Sequence, residues 1–275
     1  MISTAEVAKL AHRLGVSDRV IEKDYVLSWL LVAIAEGDPS TSLMTGLRSA
    51  LAFKGGTALK RIYYPDYRFS EDLDFTLCAD LSHDDLVSAF ENLFPTLSQR
   101  VNLTLTLHRA ERNVFESTTL LMNYVGPLKA RLGSRHLKVD ITRAELLLYP
   151  VTDRTLQAPY SDHPRGITLP TYTLEEILIE KLCALMGRTE PRDLYDVYSL
   201  FERGDVDLDF LPANFASKCK HKGQDPTQLA NALAGKARTF KKLWAARLAI
   251  QVADLPELDE VLRVVRQHLR ALALV

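Results

Sequence analysis

The chain has no apolar run approaching the roughly 20 residues that cross a bilayer, so neither a membrane-spanning helix nor a membrane partner is expected. Its opening residues, Met1-Ile2-Ser3-Thr4-Ala5-Glu6, lack a basic segment followed by an apolar one, and no secretion signal is expected there. Cysteine is scarce: Cys78, Cys183 and Cys219 are odd in number and widely spaced. That excludes a disulfide framework and a cysteine zinc site, and it points to the reducing cytoplasm. No excess charge of one sign exists either, since 34 Lys and Arg meet 35 Asp and Glu, a net charge of -1. The whole chain is therefore no polycation. It also shows no internal repeat and no low-complexity tract.

What is present suffices for a sizeable core, with 47% hydrophobic residues over 275 positions. The charge is unevenly spread. Residues 213–275 carry 11 Lys and Arg against 5 Asp and Glu, which leaves the remainder acidic. An acidic part for metal binding and a basic part for a polyanion would divide the labour in this way. A solvated helical face explains the basic excess equally well.

Local pattern predicts the elements. Residues 3–36 read as a helix opened by the capping box Ser3-Thr4-Ala5-Glu6, and Gly37-Asp38-Pro39-Ser40 breaks it. The apolar run Leu47 to Phe53 leads into a Gly-Gly turn, followed by a helix over 57–64 that Pro65 stops. Alternation predicts strands over 73–77, 101–107, 118–125 and 136–142, with a helix over 82–98 capped by Ser82 and Asp85. Residues 149–170 hold four prolines and read as a connecting loop. Beyond them come five helical stretches, 174–187, 191–203, 208–219, 226–249 and 256–274.

Chemistry concentrates in Phe53-Lys54-Gly55-Gly56-Thr57-Ala58-Leu59-Lys60 and Phe69-Ser70-Glu71-Asp72-Leu73-Asp74-Phe75. On a strand, Asp72 and Asp74 project to one face while Leu73 and Phe75 enter the core. Two like charges so close repel, and a divalent cation removes the conflict. Mg²⁺, or Mn²⁺, takes one or two protein carboxylates and completes its shell with phosphate oxygens. Gly55, Gly56 and Thr57 at a helix start offer backbone N–H groups to phosphate. Asp140, in the apolar strand Val139-Asp140-Ile141, adds a third carboxylate if the two strands are neighbours. Two metals on such a trio would activate an attacking hydroxyl and stabilise leaving pyrophosphate, with Asp140 as base or base-side ligand. Nucleotidyl transfer from a nucleoside triphosphate is the leading reading. For the parts taken singly, a surface Asp-x-Asp turn, a plain tight turn, and an Asp140–Arg143 pair remain open.

A second cluster follows the capping box Thr173-Leu174-Glu175-Glu176. Lys181, Leu185 and Arg188 share one helix side, and Lys181 stands in an apolar stretch where it either holds a triphosphate or snorkels to an acid. Arg192 and Asp193 read as a structural ion network.

These blocks together resemble the AbiEii/AbiGii nucleotidyltransferase toxins, a family that includes the mycobacterial MenT toxins. The resemblance rests on Gly55-Gly56-Thr57-Ala58-Leu59, Arg68-Phe69-Ser70-Glu71-Asp72-Leu73-Asp74-Phe75, Glu180-Lys181-Leu182 through Arg188, and Arg192-Asp193-Leu194-Tyr195-Asp196. Ile21-Glu22-Lys23-Asp24-Tyr25-Val26-Leu27 adds an N-terminal match, so the blocks run from about residue 20 to residue 200. The resemblance implies an α+β chain: a polymerase-β-like core with a mixed sheet flanked by helices, and a C-terminal helical bundle. It implies Asp72 and Asp74 as the metal pair, Ser70 near the nucleotide phosphates, Lys181 as a nucleotide contact beside Arg188, and Asp196 as a further active-site acid. Some members add pyrimidines to the 3′ acceptor end of tRNA and stop translation, and an antitoxin neutralises them. It further suggests Ser70 as a phosphorylation site, where added negative charge would repel nucleotide.

The expected division is a nucleotidyltransferase core with N-terminal helices over residues 1–170 and a helical domain over 171–275 that closes the nucleotide cleft and carries the basic face. Lys218, Lys220, Lys222, Lys241 and Lys242 are the candidate phosphate contacts along an RNA acceptor stem. Phe240 and Trp244 read as core rather than as stacking platforms. Two rivals stay open: nucleotidylation of a protein or small molecule by the same core, and a non-catalytic module that binds RNA or antitoxin.

Overall fold

The computed structural model describes residues 1–37, 44–113, 116–252 and 254–275. Residues 38–40 of the expected turn lie outside the described residues. The chain divides into two compact units, one of residues 1–145 and 151–171, the other of residues 146–150 and 172–275.

The first unit is built on a seven-stranded mixed sheet. Its strands are β1 (Leu51–Lys54), β2 (Asp72–Leu77), β3 (Thr104–Arg112), β4 (Thr118–Val125), β5 (His136–Thr142), β6 (Thr152–Thr155) and β7 (Thr168–Thr171), in the order β3-β4-β5-β2-β1-β7-β6. β2 lies parallel to β5 and antiparallel to β1, while β1 lies parallel to β7. On β4 and β5 the burial alternates residue by residue, as a half-buried strand requires. β1, by contrast, is buried at all four positions.

The expected helix over 3–36 is two helices, α1 (Thr4–Leu14) and α2 (Asp18–Glu36). Gly15 ends the first at φ +66°, where its N–H bonds the carbonyls of Ala11 and His12, a left-handed cap that residues with a Cβ resist. α2 is buried on nearly every side, so its apolar stripe has no polar counterpart. Its acids are compensated inside. Glu22 accepts the Leu128 N–H at 2.8 Å and pairs with Arg135 at 3.4 Å. Asp24 accepts from Arg61 and from the Tyr160 hydroxyl.

α3 (Met44–Ala50) precedes β1. After β1 comes the short α4 (Gly55–Ala58), which continues as one π-helical turn over Leu59–Tyr63. The helix expected over 82–98 is also two, α5 (His83–Glu91) with a complete Ser82–Asp85 capping box, and α6 (Leu93–Val101). α6 ends on Asn102 at φ +57°, so residues 101–103 turn where a strand was expected and β3 begins at Thr104. The loop expected over 149–170 contributes β6 and β7 to the sheet edge.

The second unit is helical: α7 (Leu174–Gly187), α8 (Pro191–Arg203), α9 (Leu211–His221), a 3₁₀ turn (Pro226–Gln228), α10 (Leu229–Leu248) and α11 (Leu258–Ala271). Thr173 caps α7 by accepting the Glu176 N–H, and Pro191 opens α8 where its missing N–H costs nothing. Phe240 and Trp244 are buried on α10, and the Trp244 indole donates to the Pro256 carbonyl at 2.8 Å. Among the described residues no helix is long and apolar enough to cross a membrane.

Candidate active site

Sheet register assembles the acidic face in the first unit. Asp74 stands opposite Asp140 across the parallel β2–β5 pair, and Asp72 stands opposite Lys138. Leu73, Phe75, Val139 and Ile141 are fully buried on the other face, so the carboxylates of Asp72, Asp74 and Asp140 share the polar one. The expected adjacency of the two strands is thus present. Asp140 is already engaged: its Oδ1 accepts the Thr119 hydroxyl at 2.7 Å, and its Oδ2 lies 2.6 Å from the Lys138 ammonium. Burial alone would lower the Lys138 pKa, but the bond to Asp140 and the charges of Asp140, Asp72 and Asp74 hold it above the usual lysine value. Among the described residues no three His, Cys, Asp or Glu side chains form a ready-made cation cluster.

The Gly-Gly turn lies directly against these acids. Gly55 has φ +79°, and a Cβ built on it would collide with the Asp74 carboxylate. A Cβ on Gly56 would lie 2.6 Å from the Arg68 guanidinium and 3.4 Å from the Ser70 hydroxyl. The Thr57 hydroxyl donates to the Asp72 carbonyl at 2.5 Å and ties the turn to β2. Gly55, Gly56, Thr57, Ser70, Asp72, Asp74 and Asp140 therefore belong to one neighbourhood.

Lys54, opposite Asp74 across the β1–β2 pair, donates to Thr142 at 2.8 Å and lies 3.8 Å from Glu145. Lys54, Thr119, Lys138 and Glu145 were not singled out in the sequence. The signal for Lys138 was there, since it alternates with Asp140 in His136-Leu137-Lys138-Val139-Asp140. The others needed the strand order.

A divalent cation fits this donor set. Asp72 and Asp74 supply half-buried carboxylates on one face, and the Gly55 backbone packs close against Asp74 because it carries no side chain. Two carboxylates on one face are what Mg²⁺ or Mn²⁺ commonly takes from a protein, phosphate oxygens completing its shell.

In the helical unit, Lys181 lies 2.9 Å from Asp193 and 2.7 Å from Asp196. Arg188 grips Asp193 through two nitrogens, at 2.7 and 3.0 Å. Burial works against charge on Asp193, yet the Lys181 ammonium and the Arg188 guanidinium hold its carboxyl well below the usual range. Asp193 is thus the hub of an ion network that fixes Lys181 between two buried acids, with Asp196 fully buried beneath it.

The basic candidates separate. Lys220, Lys222, Lys241 and Lys242 are exposed. Lys218, expected to contact RNA, is corrected: it is 0% exposed. Its ammonium is held by Glu176 at 2.8 Å, by Glu180 at 3.4 Å and by the Leu146 carbonyl at 2.7 Å. A buried lysine needs such partners, and α7 supplies them. Lys236 is also occupied, since it caps the end of α7 through the carbonyls of Leu185, Met186 and Arg188.

The fold has solved counterparts. MenT4, nucleotidyltransferase toxin Rv2826c from Mycobacterium tuberculosis H37Rv, superposes with a TM-score of 0.68 at 17% identity, covering 99% of this chain and 90% of that one. JHP933 from Helicobacter pylori gives a TM-score of 0.51 at 19% identity, covering 91% and 92%. A putative nucleotidyltransferase from H. pylori gives 0.50 at 21% identity, covering 88% and 91%. These likenesses establish the fold. No curated protein matches the chain. The family model described as nucleotidyl transferase AbiEii toxin, type IV toxin–antitoxin system, matches residues 43–265. The site residues lie within that span, and the chain belongs to the AbiEii nucleotidyltransferase toxin family.

Proposed function

We propose that this nucleotidyltransferase toxin transfers nucleoside monophosphates, pyrimidines for preference, from triphosphates to the 3′ acceptor end of tRNA, blocking translation. The observation that carries the reading is the pair of half-buried carboxylates, Asp72 and Asp74, on one face of β2 against the Gly55 turn. In this reading Asp72 and Asp74 hold Mg²⁺ or Mn²⁺, which screens the triphosphate charge and stabilises the departing pyrophosphate. The backbone of Gly55, Gly56 and Thr57, with the Ser70 hydroxyl, orients the phosphates. The acceptor hydroxyl oxygen bonds to the α-phosphorus, the bond from that phosphorus to the bridging oxygen breaks, and pyrophosphate leaves. The hydroxyl proton passes to Asp140.

Lys181 and Arg188 are assigned to the nucleotide, with Asp196 holding Lys181 in place. Lys220, Lys222, Lys241 and Lys242 are assigned to RNA phosphates, contacts that position an acceptor stem without reading its sequence. A cognate antitoxin neutralises the toxin, and both act in the cytoplasm.

Incubating the protein with Mg²⁺, total RNA, cell lysate and each of four labelled triphosphates tests the proposal. The expected result is label on tRNA, from CTP or UTP above ATP and GTP. Label on a protein or a small molecule, with none on RNA, would overturn it.

Gly55→Ala should lower transfer by at least about a hundredfold. Strain at φ +79° costs roughly 1–3 kcal/mol, and the new methyl displaces the Asp74 carboxylate. Steady-state rates beside a melting curve check this, and wild-type turnover from Gly55→Ala would contradict the close approach.

A further inference from the structure

We infer that Cys183, Cys219 and Met186 form a binding site for one monovalent copper ion inside the helical unit. Cys183 and Met186 come from α7 and Cys219 from α9. The site shares no residue with the acidic face of the sheet and stands or falls apart from it.

The spacing suits a soft metal ion. Cys183 Sγ lies 3.8 Å from Cys219 Sγ across 36 residues of sequence, and Cys219 Sγ lies 3.8 Å from Met186 Sδ. Cys183 and Met186 are three apart on α7, so they stack on one side of that helix. With metal–sulfur bonds of about 2.3 Å, three sulfurs in a plane around one ion stand about 4 Å apart. Both measured edges match, so seating an ion calls for little movement of either helix.

The donors select the ion. Thiolate and thioether are soft ligands that favour Cu⁺, whereas structural Zn²⁺ takes four ligands of thiolate or imidazole type. Burial pushes both thiols up, so neither gives a thiolate unaided at neutral pH. Disulfide exchange, which needs the thiolate, is therefore disfavoured, while a bound metal ion displaces the thiol proton outright. As one Cu⁺ binds, two protons leave to solvent, the copper keeps its oxidation state, and the site gains one negative charge. The positive charges of Lys222 and Lys218 act on Cys183 and offset it.

Both cysteines are buried but Met186 is half-buried, so the flexible thioether forms the way in. Gln224 holds the two cysteines together from behind their backbones. Its N–H donates to the Cys219 carbonyl at 2.8 Å, and its side-chain amide donates to the Cys183 carbonyl at 3.2 Å. The Gln224 side-chain oxygen is buried and has no hydrogen-bond partner among the described residues. A buried acceptor left unmet next to this pair is a second mark of a binding place.

Anaerobic competition with the chromophoric copper(I) chelator bicinchoninate tests the site on the full, reduced chain. Wild type should draw one Cu⁺ per chain from the chelator. Cys78→Ser, which removes the exposed third cysteine, should draw the same. X-ray absorption at the copper edge should show three sulfurs at about 2.3 Å. Met186→Leu nearly conserves side-chain volume and should weaken Cu⁺ at least tenfold, and Cys183→Ala or Cys219→Ala should abolish binding. No copper drawn by wild type, copper lost in Cys78→Ser, copper kept by either alanine variant, or unchanged affinity in Met186→Leu would each overturn the inference. The readings on wild type, Cys78→Ser and Met186→Leu decide it even if an alanine variant does not fold.

Discussion

Asp74→Ala is expected to reduce nucleotidyl transfer by about a thousandfold or more while leaving RNA affinity within about twofold of wild type. The size follows from what the carboxylate does in the proposed site. Removing one preorganised electrostatic partner of a developing charge costs about 10²–10³ in rate. In the proposed site the lost group would also hold the cation that offsets charge on the leaving pyrophosphate. The fold should not suffer. Asp74 faces the polar side of β2, beside Asp72 and opposite Asp140, so its removal relieves repulsion among like charges. Lys241→Glu with Lys242→Glu should do the reverse. Both lysines are exposed on α10, so RNA binding should weaken at every sequence and its salt dependence should flatten. Transfer at saturating RNA should persist. Filter binding across a salt series, set beside single-turnover rates, resolves the two. Equal losses of RNA affinity in both variants would contradict the division of labour.

Asp24→Ala should destabilise the sheet-bearing unit by about 3–5 kcal/mol, because it strands a buried positive charge. Arg61 is 2% exposed and donates to Asp24, which also accepts the Tyr160 hydroxyl. Arg61 lies in the π-helical turn that follows the Gly-Gly segment, Asp24 lies on α2, and Tyr160 comes from the segment between β6 and β7. Three stretches of chain far apart in sequence thus meet at one carboxylate. The remedy identifies the cause. Asp24→Ala combined with Arg61→Met removes the orphaned charge and should recover most of the loss, so the double-mutant cycle should be strongly non-additive. Denaturant unfolding of the four proteins measures it. Additive losses would mean that packing, not charge, dominates at this position.

How much of this was legible depended on whether the deciding neighbour was close in sequence. The strands over 118–125 and 136–142 and the helices over 174–187 and 191–203 have the expected bounds, because alternation, capping residues and proline are local signals. The mixed sheet flanked by helices that the resemblance implies is also present. The single helix expected over 3–36 overlooked Gly15 as a left-handed stop, and the strand expected at residue 101 overlooked Asn102 doing the same. β1 is four buried residues with no alternation to read, and β6 is a short polar edge strand whose partner, β7, supplies the reason it exists. Within the site, Asp72 and Asp74 were visible because they flank a core residue on a single strand. Lys138 and Thr119 became meaningful only when register placed them beside Asp140. Lys218 shows the opposite error. It sits in a basic cluster by sequence, yet Glu176 and Glu180 from another helix draw it inside.

β2 is the middle strand of seven, with three strands on either side. Its backbone amides are laddered to β1 and to β5, so loosening it means separating both halves of the sheet at once. Asp74 is laddered on both sides and Asp72, the first residue of β2, on the β5 side, so both aspartates are tied into the sheet through the middle strand. They would not gather around an incoming substrate; they would already be waiting in place, and adaptation to different acceptors would be left to the periphery.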